Sequence, residues 1–476
     1  MAASRAPVSA AAADGGIEEN AMAILDSSGI KDSRDLHDDR AAFLDAVRSA
    51  CLAGDNPSAP SWAGKEKAHL AYPNRILRNS SSLELAVASF SLLLELGKQY
   101  PRTYLTNSGA HQVLVVVKES WLPFLLGNDT ICTDIGGNAR NSDHLFDPSR
   151  FSLLIENMVE PTDTTDANNE MKSIKNMMLF QYLVNTLEAD FVLRHVAYKV
   201  TRLGDFQGIS VKYASEGSRK LVFKSLVKNC IYLVLNHYHH EAEDAVEDSI
   251  PSEGHPAKSE SDTNSSLNFS SFELGRTLES VQKLFVMVMN LDLIRKEADT
   301  LGLTSRADGF RNSIMEIFLD ELTYNISYLS PFLLAFADWK WKLEIILQYF
   351  SKYCGKAAVR TRRSDNSQQD LTLESVLSFF LTTTSAKAMA KKMSSEVAQL
   401  LLAHAYQVCL SVQGDSRNTT ATTEKIGASL QQISCSFISA FQNLQKINLN
   451  IQISPFEKEA LFTAATLTRK LKNEER

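Results

Sequence analysis

Residues 171–200 read MKSIKNMMLFQYLVNTLEADFVLRHVAYKV, and the spacing of their apolar side chains decides the fold class. Ile174, Met177, Met178, Phe180, Leu183, Val184, Leu187, Phe191, Val192 and Val196 recur mostly three or four positions apart. That is the period of one face of an α-helix and not the two-residue alternation of a strand. The same period extends outward in both directions. Over Ser33–Leu52, Leu36, Phe43, Leu44, Val47 and Cys51 form one stripe, with Asp35, Asp38, Asp39 and Arg48 off it; Asp32 or Ser33 can cap the segment, and its early acids suit the helix dipole. Leu83–Leu96 is apolar nearly all round, as a central helix would be. Lys220–Tyr238 and Phe272–Ala298 follow the same logic. So do Ala307–Leu329, the aromatic-rich Phe332–Tyr353, Leu371–Leu381, Ala386–Val412, Thr423–Ile447 and Pro455–Lys472. Pro331 is expected to start a new element. Val113–Val117 is the one β-like run, and among helical neighbours it is read here as helix.

About fourteen helices joined mostly by short links imply antiparallel helix pairs stacked side by side. The tetratricopeptide signature and the ankyrin T-P-L-H element are both absent, and no fixed period recurs. The fold class expected is therefore all-α, an armadillo/HEAT-like helical solenoid with degenerate repeats; a large irregular bundle is the rival architecture.

Composition agrees with a soluble helical protein. The 476 residues are 44% hydrophobic and 22% charged, with only 20 Gly and 12 Pro, too few for a β-rich chain with many tight turns. The 49 Lys+Arg against 56 Asp+Glu give a formal net charge of −7, so the chain is not built around one basic nucleic-acid groove. Between Glu241 and Ser271 stand Glu241, Glu243, Asp244, Glu247, Asp248, Glu253, Glu260 and Asp262 against Lys258 alone. With Pro251, Gly254, Pro256 and a Ser/Asn-rich tail, this stretch reads as a solvated loop that cannot bury enough apolar surface to offset its ordering entropy. It is either a tolerated surface insertion or a regulatory, partner-binding element. The expected organisation is a disordered tail over 1–16, N-terminal helical repeats over 17–240, the acidic disordered loop over 241–271, central helical repeats over 272–354, a basic linker over 355–369 and C-terminal helical repeats over 370–476.

The six cysteines, Cys51, Cys132, Cys230, Cys354, Cys409 and Cys435, are scattered without a C-x-x-C pair, which argues against both a zinc site and a disulfide scaffold. Most of them sit in apolar helical contexts and read as buried thiols in a reducing compartment. The first sixteen residues lack an apolar core for a secretory signal, and no run long and apolar enough to span a bilayer occurs. The sequons at Asn79, Asn128, Asn325 and Asn418 therefore carry no weight, and an intracellular, soluble protein without membrane contact is expected.

A search for chemistry returns nothing enzymatic. No G-x-x-x-x-G-K-[ST], G-x-G-x-x-G or G-x-S-x-G element is present; Gly136–Gly137 is a loop pair. His237, His239 and His240 beside Glu241 and Glu243 could hold a divalent ion weakly, but they read more simply as a solvated helix C-terminus favoured by the dipole. Carboxylate pairs such as Asp38–Asp39 and Glu156–Glu160 read as solvated faces. In Trp339-Lys340-Trp341-Lys342 residues two apart do not share a helix face, so one Trp is expected in the core and the other at a groove or partner surface. Lys356, Arg360, Arg362 and Arg363 form a basic stretch that serves as a nuclear-import address, a phosphate-contacting patch or a plain charged loop. No catalytic, cofactor-binding or metal-ligating residue is assigned, and no cofactor is expected.

One resemblance says more. Ala21–Leu52 reads AMAILDSSGIKDSRDLHDDRAAFLDAVRSACL, with Lys31-Asp32-Ser33-Arg34-Asp35, then Asp39-Arg40, then Phe43-Leu44-Asp45-Ala46-Val47-Arg48. It closely resembles the start of the plant negative regulators of systemic acquired resistance, the suppressor of npr1 inducible family. Arg75-Ile76-Leu77-Arg78, Leu83-Glu84-Leu85 and the Leu93–Leu96 segment resemble the next part. The likeness covers about the first hundred residues. It implies a nuclear, armadillo-like protein without catalytic activity. It further implies a scaffold subunit of the structural maintenance of chromosomes (SMC) 5/6 complex, comparable to its non-SMC element 6 and partnered by SMC 5/6 subunits and a second helical non-SMC subunit. Such a protein acts in DNA-damage response and homologous recombination and restrains defence-gene transcription. An alternative is a direct transcriptional corepressor recruited by promoter-bound factors. Direct sequence-specific DNA binding is not expected, because no helix is rich in Arg, Lys, Asn and Gln.

Overall fold

The computed structural model describes residues 33–52, 66–99, 103–108, 111–116, 148–159, 167–201, 225–235, 263–300, 318–322, 326–336, 338–354, 371–414, 425–448 and 452–474. In order these give α1 (Ser33–Leu52), α2 (Glu66–Asn79), α3 (Leu83–Gln99), β1 (Thr103–Ser108), β2 (His111–Val116), α4 (Pro148–Val159) and α5 (Ala167–Thr201). They continue as α6 (225–235), α7 (Thr263–Thr300), α8 (318–322), α9 (Leu329–Leu334), α10 (Trp339–Cys354), α11 (Leu373–Ser378), α12 (Thr383–Met393), α13 (Ser395–Gly414), α14 (Leu430–Ile447) and α15 (Pro455–Glu474). The all-α class holds, with one two-stranded hairpin added. The chain divides into two compact units, one of Met1–Asn229 with Ser252–Met287 and one of Cys230–Pro251 with Val288–Arg476, so that α6 and α7 each cross from one to the other. Within each unit helices pack on those a few elements away along the chain, the local stacking of a helical solenoid.

In the first unit the α1 stripe is core. Leu44 and Val47 pack with Ile76 of α2 and Leu85, Leu92 and Leu96 of α3, flanked by Ala41, Phe43 and Ala88. Arg48 Nε donates to Glu95 Oε2 of α3 at 3.1 Å, and His37 Nε2 lies 3.2 Å from the Oγ of Ser82, the residue just before α3. Helix α3 is central, with Leu85, Ala86, Ser89, Phe90, Leu92, Leu93 and Leu96 buried. Helix α2 ends under a cation: Lys175 Nζ of α5 donates to the carbonyls of Arg78 at 3.1 Å and Ser80 at 2.9 Å, satisfying orphan acceptors at the negative end of the dipole. Burial lowers the Lys175 pKa. Helix α5 meets α7 through a buried polar node, where Gln181 Nε2 donates to the Glu273 carbonyl (3.2 Å), Glu273 Oε2 (2.8 Å) and Thr277 Oγ1 (3.1 Å). Phe180 of α5 stacks on Phe151 of α4 at 5.8 Å.

Of the run Val113–Val117, expected to be helix, Val113 to Val116 lie instead in β2, antiparallel to β1 in a register running from Thr103 opposite Val116 to Ser108 opposite His111; Val117 lies outside the described residues. β-Branched residues suit a paired strand, and the partner lies only two residues upstream in sequence, so local pairing overrides the helical surroundings. Helix α7 begins at Thr263, inside the stretch expected to be acidic loop up to Ser271. Ser and Asn there read as loop formers because their side chains compete for backbone hydrogen bonds, yet the helix that carries Glu273 and Thr277 propagates back through them. Residues 241–262 of that stretch lie outside the described residues.

The second unit departs from the expected helix bounds at three punctuation points. Ala307–Leu329 contributes α8 and a 3₁₀ turn over Ile326–Tyr328 among its described residues. Pro331 does not open an element: it sits in the first turn of α9, which starts two residues earlier, where its missing N–H is not needed. The expected Phe332–Tyr353 helix is broken before Trp339, because Asp338 caps α10, its Oδ1 accepting from Lys340 N at 2.9 Å. The expected Ala386–Val412 helix is two, α12 and α13, separated by Ser394 at φ 60 and ψ 153. Ser394 Oγ then accepts from Val397 N at 3.2 Å, an N-cap that a purely apolar reading does not reveal.

Capping boxes start α11 (Thr372 with Ser375) and α14 (Ser429 with Gln432), and Ser454 and Glu457 bond reciprocally at the start of α15. Asn443 Nδ2 of α14 donates to the carbonyls of Phe380 at 2.9 Å and Leu381 at 2.8 Å, closing the exit from α11. Gly427, at φ +82, comes within 3.0 Å of Thr372 when a Cβ is placed on it, so glycine is required there on both counts. Tyr406 of α13 stacks on Phe437 of α14 at 4.6 Å, and its hydroxyl lies 2.9 Å from Ser434 Oγ. Cys230 and Cys409 are buried, and burial pushes both thiols up to about 12. Cys435 is exposed, on the solvent side of α14.

Candidate functional site

The richest polar chemistry in the second unit gathers around α10. This helix is packed on nearly every side, with Trp341, Leu343, Ile345, Ile346, Leu347, Tyr349 and Phe350 buried, and it still brings Lys342 and Glu344 inward, 5% and 6% exposed. Each has a partner. Glu344 pairs with Lys425, 81 residues on, and accepts from Gln348 Nε2 at 3.0 Å. The Lys342 ammonium sits over the Trp339 ring, 4.9 Å from its centroid, so the ring quadrupole replaces part of the lost hydration. Burial lowers the Lys342 pKa.

The tryptophans divide as the helical geometry requires. Trp341 is in the core at 3% exposure. Trp339 is half-buried, with one face occupied by Lys342. The buried Trp341 is no platform for stacking on a nucleic-acid base.

His404 of α13 and Ser330 of α9 form one of two serine–histidine contacts among the described residues, the other being the His37–Ser82 contact of the first unit. Ser330 Oγ lies 3.1 Å from His404 Nε2, the spacing of a nucleophile and its base. The surroundings do not complete it. His404 is 0% exposed, its ring lies against Phe456 at 4.3 Å, and its Nδ1 has no hydrogen-bond partner among the described residues, so no carboxylate there orients the ring. Burial first, and the positive charge of Lys342 second, lower its pKa from 6.5 to about 3. An imidazole of that proton affinity is a poor base for a serine proton near neutral pH. The pair is a buried hydrogen bond between α9 and α13. Elsewhere on α13, both polar atoms of the buried Gln399 amide lack partners among the described residues.

Among the described residues no group of three or more His, Cys, Asp or Glu side chains could hold a metal ion, and no described helix is long and apolar enough to cross a membrane. Asp38 is exposed, 3.6 Å from His37 Nδ1, and Glu156 is exposed, as solvated faces are. Lys356, Arg360, Arg362 and Arg363, and His237, His239 and His240, lie outside the described residues. The inward Lys342–Trp339 contact, the Glu344–Lys425 pair and the Ser330–His404 bond were not legible in sequence, since their partners lie 74 and 81 residues apart in two of the three. The lone histidine in the apolar run LLLAHAYQV was the only local signal. The arrangement can hold helices together and present surfaces.

Comparison with known proteins gives this helical body a family. Residues 101–338 match the SNI1 middle domain, and residues 354–473 match the SNI1 C-terminal domain. The chain is 36% identical over 458 residues to the negative regulator of systemic acquired resistance SNI1 of Arabidopsis thaliana, a match spanning 96% of this chain and 95% of that protein. No solved structure matches the chain.

Proposed function

This chain belongs to the SNI1 family, and on that footing we propose that it is a negative regulator of systemic acquired resistance which acts without catalysis, as a nuclear scaffold subunit. Its place is in the structural maintenance of chromosomes 5/6 complex, in the role of non-SMC element 6 and bound to a second helical non-SMC subunit, with a part in DNA-damage response and homologous recombination. Restraint of defence-gene transcription follows from complex assembly and not from base readout.

The observation that carries the regulatory reading is the near-full-length match to a relative whose name states that role. Two further features support the scaffold reading. Locally stacked helices offer long surfaces to extended partners, and the Ser330–His404 contact is sealed, its imidazole a weak base. The test is complementation: an Arabidopsis line lacking the relative receives this chain, and basal defence transcripts are measured before any pathogen challenge. Restoration of low basal levels is the expected result. Transcript levels that stay raised despite normal accumulation of the protein overturn the regulatory reading.

A further inference from the structure

The charge of the chain is unevenly placed. Residues 355–476 carry 15 Lys+Arg against 10 Asp+Glu, although the whole chain carries 49 against 56. Such asymmetry marks a segment for an anionic partner. Among its described residues the outer face of α12 is a surface of undiluted positive charge. This helix, TTSAKAMAKKM, has three lysines and no acid. Its inner face is anchored by Ala386, Met389 and Met393, which leaves Lys387, Lys391 and Lys392 exposed.

The composition of that face selects the partner. Thr384, Lys387, Ala388 and Lys391 follow at i, i+3, i+4 and i+7 and so form one stripe, and all four are exposed. Lys387 and Lys391 have no carboxylate within ion-pair distance among the described residues; by contrast Lys352 nearby is spent on Asp320 at 2.6 Å. Lys392 Nζ donates to the Tyr353 carbonyl at 2.9 Å, which fixes this end of α12 to the end of α10. Between the lysines stand only small side chains. An acidic peptide needs an apolar or aromatic anchor to hold a register, and this stripe has none. A phosphodiester backbone needs closely spaced cations, hydroxyl donors and room to approach, and the stripe has all three.

We propose that the α12 face, through Thr384, Lys387, Lys391 and Lys392, binds the phosphate backbone of double-stranded DNA without reading its sequence. This goes beyond the scaffold role and does not depend on it, since it concerns the isolated chain. Full-length protein is titrated by fluorescence anisotropy against labelled duplexes of two unrelated sequences over a series of salt concentrations. The two duplexes bind equally, with affinity falling linearly on a log–log salt plot. Lys387→Gln/Lys391→Gln lowers the slope by about 2 and weakens low-salt binding by about tenfold or more. Lys387→Arg/Lys391→Arg retains binding, and both variants keep the wild-type thermal melt because the side chains are exposed.

Any of four results overturns the proposal: no binding of duplex by the wild type at low salt, unchanged binding by the glutamine variant, an equal loss on Arg469→Gln/Lys470→Gln, or binding of a polyglutamate probe in place of the duplex. The last would assign the face to an acidic protein partner.

Discussion

Replacing His404 by glutamine tests the buried polar chemistry of the second unit directly. The imidazole is fully buried between Ser330 and Phe456, and its pKa falls from 6.5 to about 3. The unfolded chain therefore binds a proton at this residue that the native protein refuses, over the window from about pH 6.5 down to about pH 3. Where the unfolded state holds more protons, stability rises with pH; the contribution of His404 is thus full above pH 6.5 and is lost as the solution is acidified. Within that window each pH step of one costs on the order of 1 kcal/mol, so acidification from pH 7 to pH 4.5 removes roughly 2–3 kcal/mol through this residue alone. Glutamine does not titrate, but it loses the packing on Phe456 and should cost about 1–2 kcal/mol at neutral pH. Urea denaturation is followed by tryptophan emission, to which the buried Trp341 of α10 contributes from this same unit. The wild type is expected to lead the variant at pH 7 and to trail it at pH 4.5, with carboxylate effects common to both cancelling in the difference. A gap between wild type and variant that stays constant with pH would refute the claim that this histidine is held neutral.

Leu44→Asp places a charge in the cluster formed by α1, α2 and α3, where Leu44 is 3% exposed, and should cost on the order of 3 kcal/mol or more; an unchanged thermal melt would show that the α1 stripe is not core. Ser394 combines a left-handed φ with an N-cap bond, so its two small substitutions should diverge. Ser394→Ala keeps the strain and loses the cap, costing about 1 kcal/mol, whereas Ser394→Gly relieves the strain and is within about 0.5 kcal/mol of neutral or better; equal losses by chemical denaturation would contradict this. Gln399→Met removes a buried amide with no partner among the described residues for a side chain of similar volume, and should raise stability by about 1 kcal/mol; a destabilised variant would mean that the amide is satisfied in solution.

The helical class was legible because its signal is local. The stripe of Ile174, Met177, Met178 and Leu183 is the face that α5 buries, and Leu44 and Val47 are the face that α1 buries. What failed to show were features set by distant partners or by single residues. The β1–β2 pair forms because the valine-rich run of β2 finds an extended partner next to it in sequence, which apolar periodicity does not register. The breaks at Asp338 and Ser394 are capping events, and a cap is one hydrogen bond within an otherwise unbroken pattern. The polar contacts around α10 depend on Lys425 and His404, brought in from other parts of the chain, and no spacing rule connects residues so far apart. The basic face of α12 was visible only as composition; it took the burial of Ala386, Met389 and Met393 to show that its lysines share the outside. The division of the Trp339–Lys342 run was legible, because residues two apart on a helix cannot face the same way.

The proposed scaffold role predicts what should accompany the full-length chain in the nucleus. It is tagged, purified from plant nuclear extract and its co-purifying proteins are quantified by mass spectrometry. Near-equimolar SMC 5/6 subunits together with a second helical non-SMC protein are expected. Recovery of the chain without SMC subunits, whether alone or with promoter-bound transcription factors only, would contradict the scaffold role.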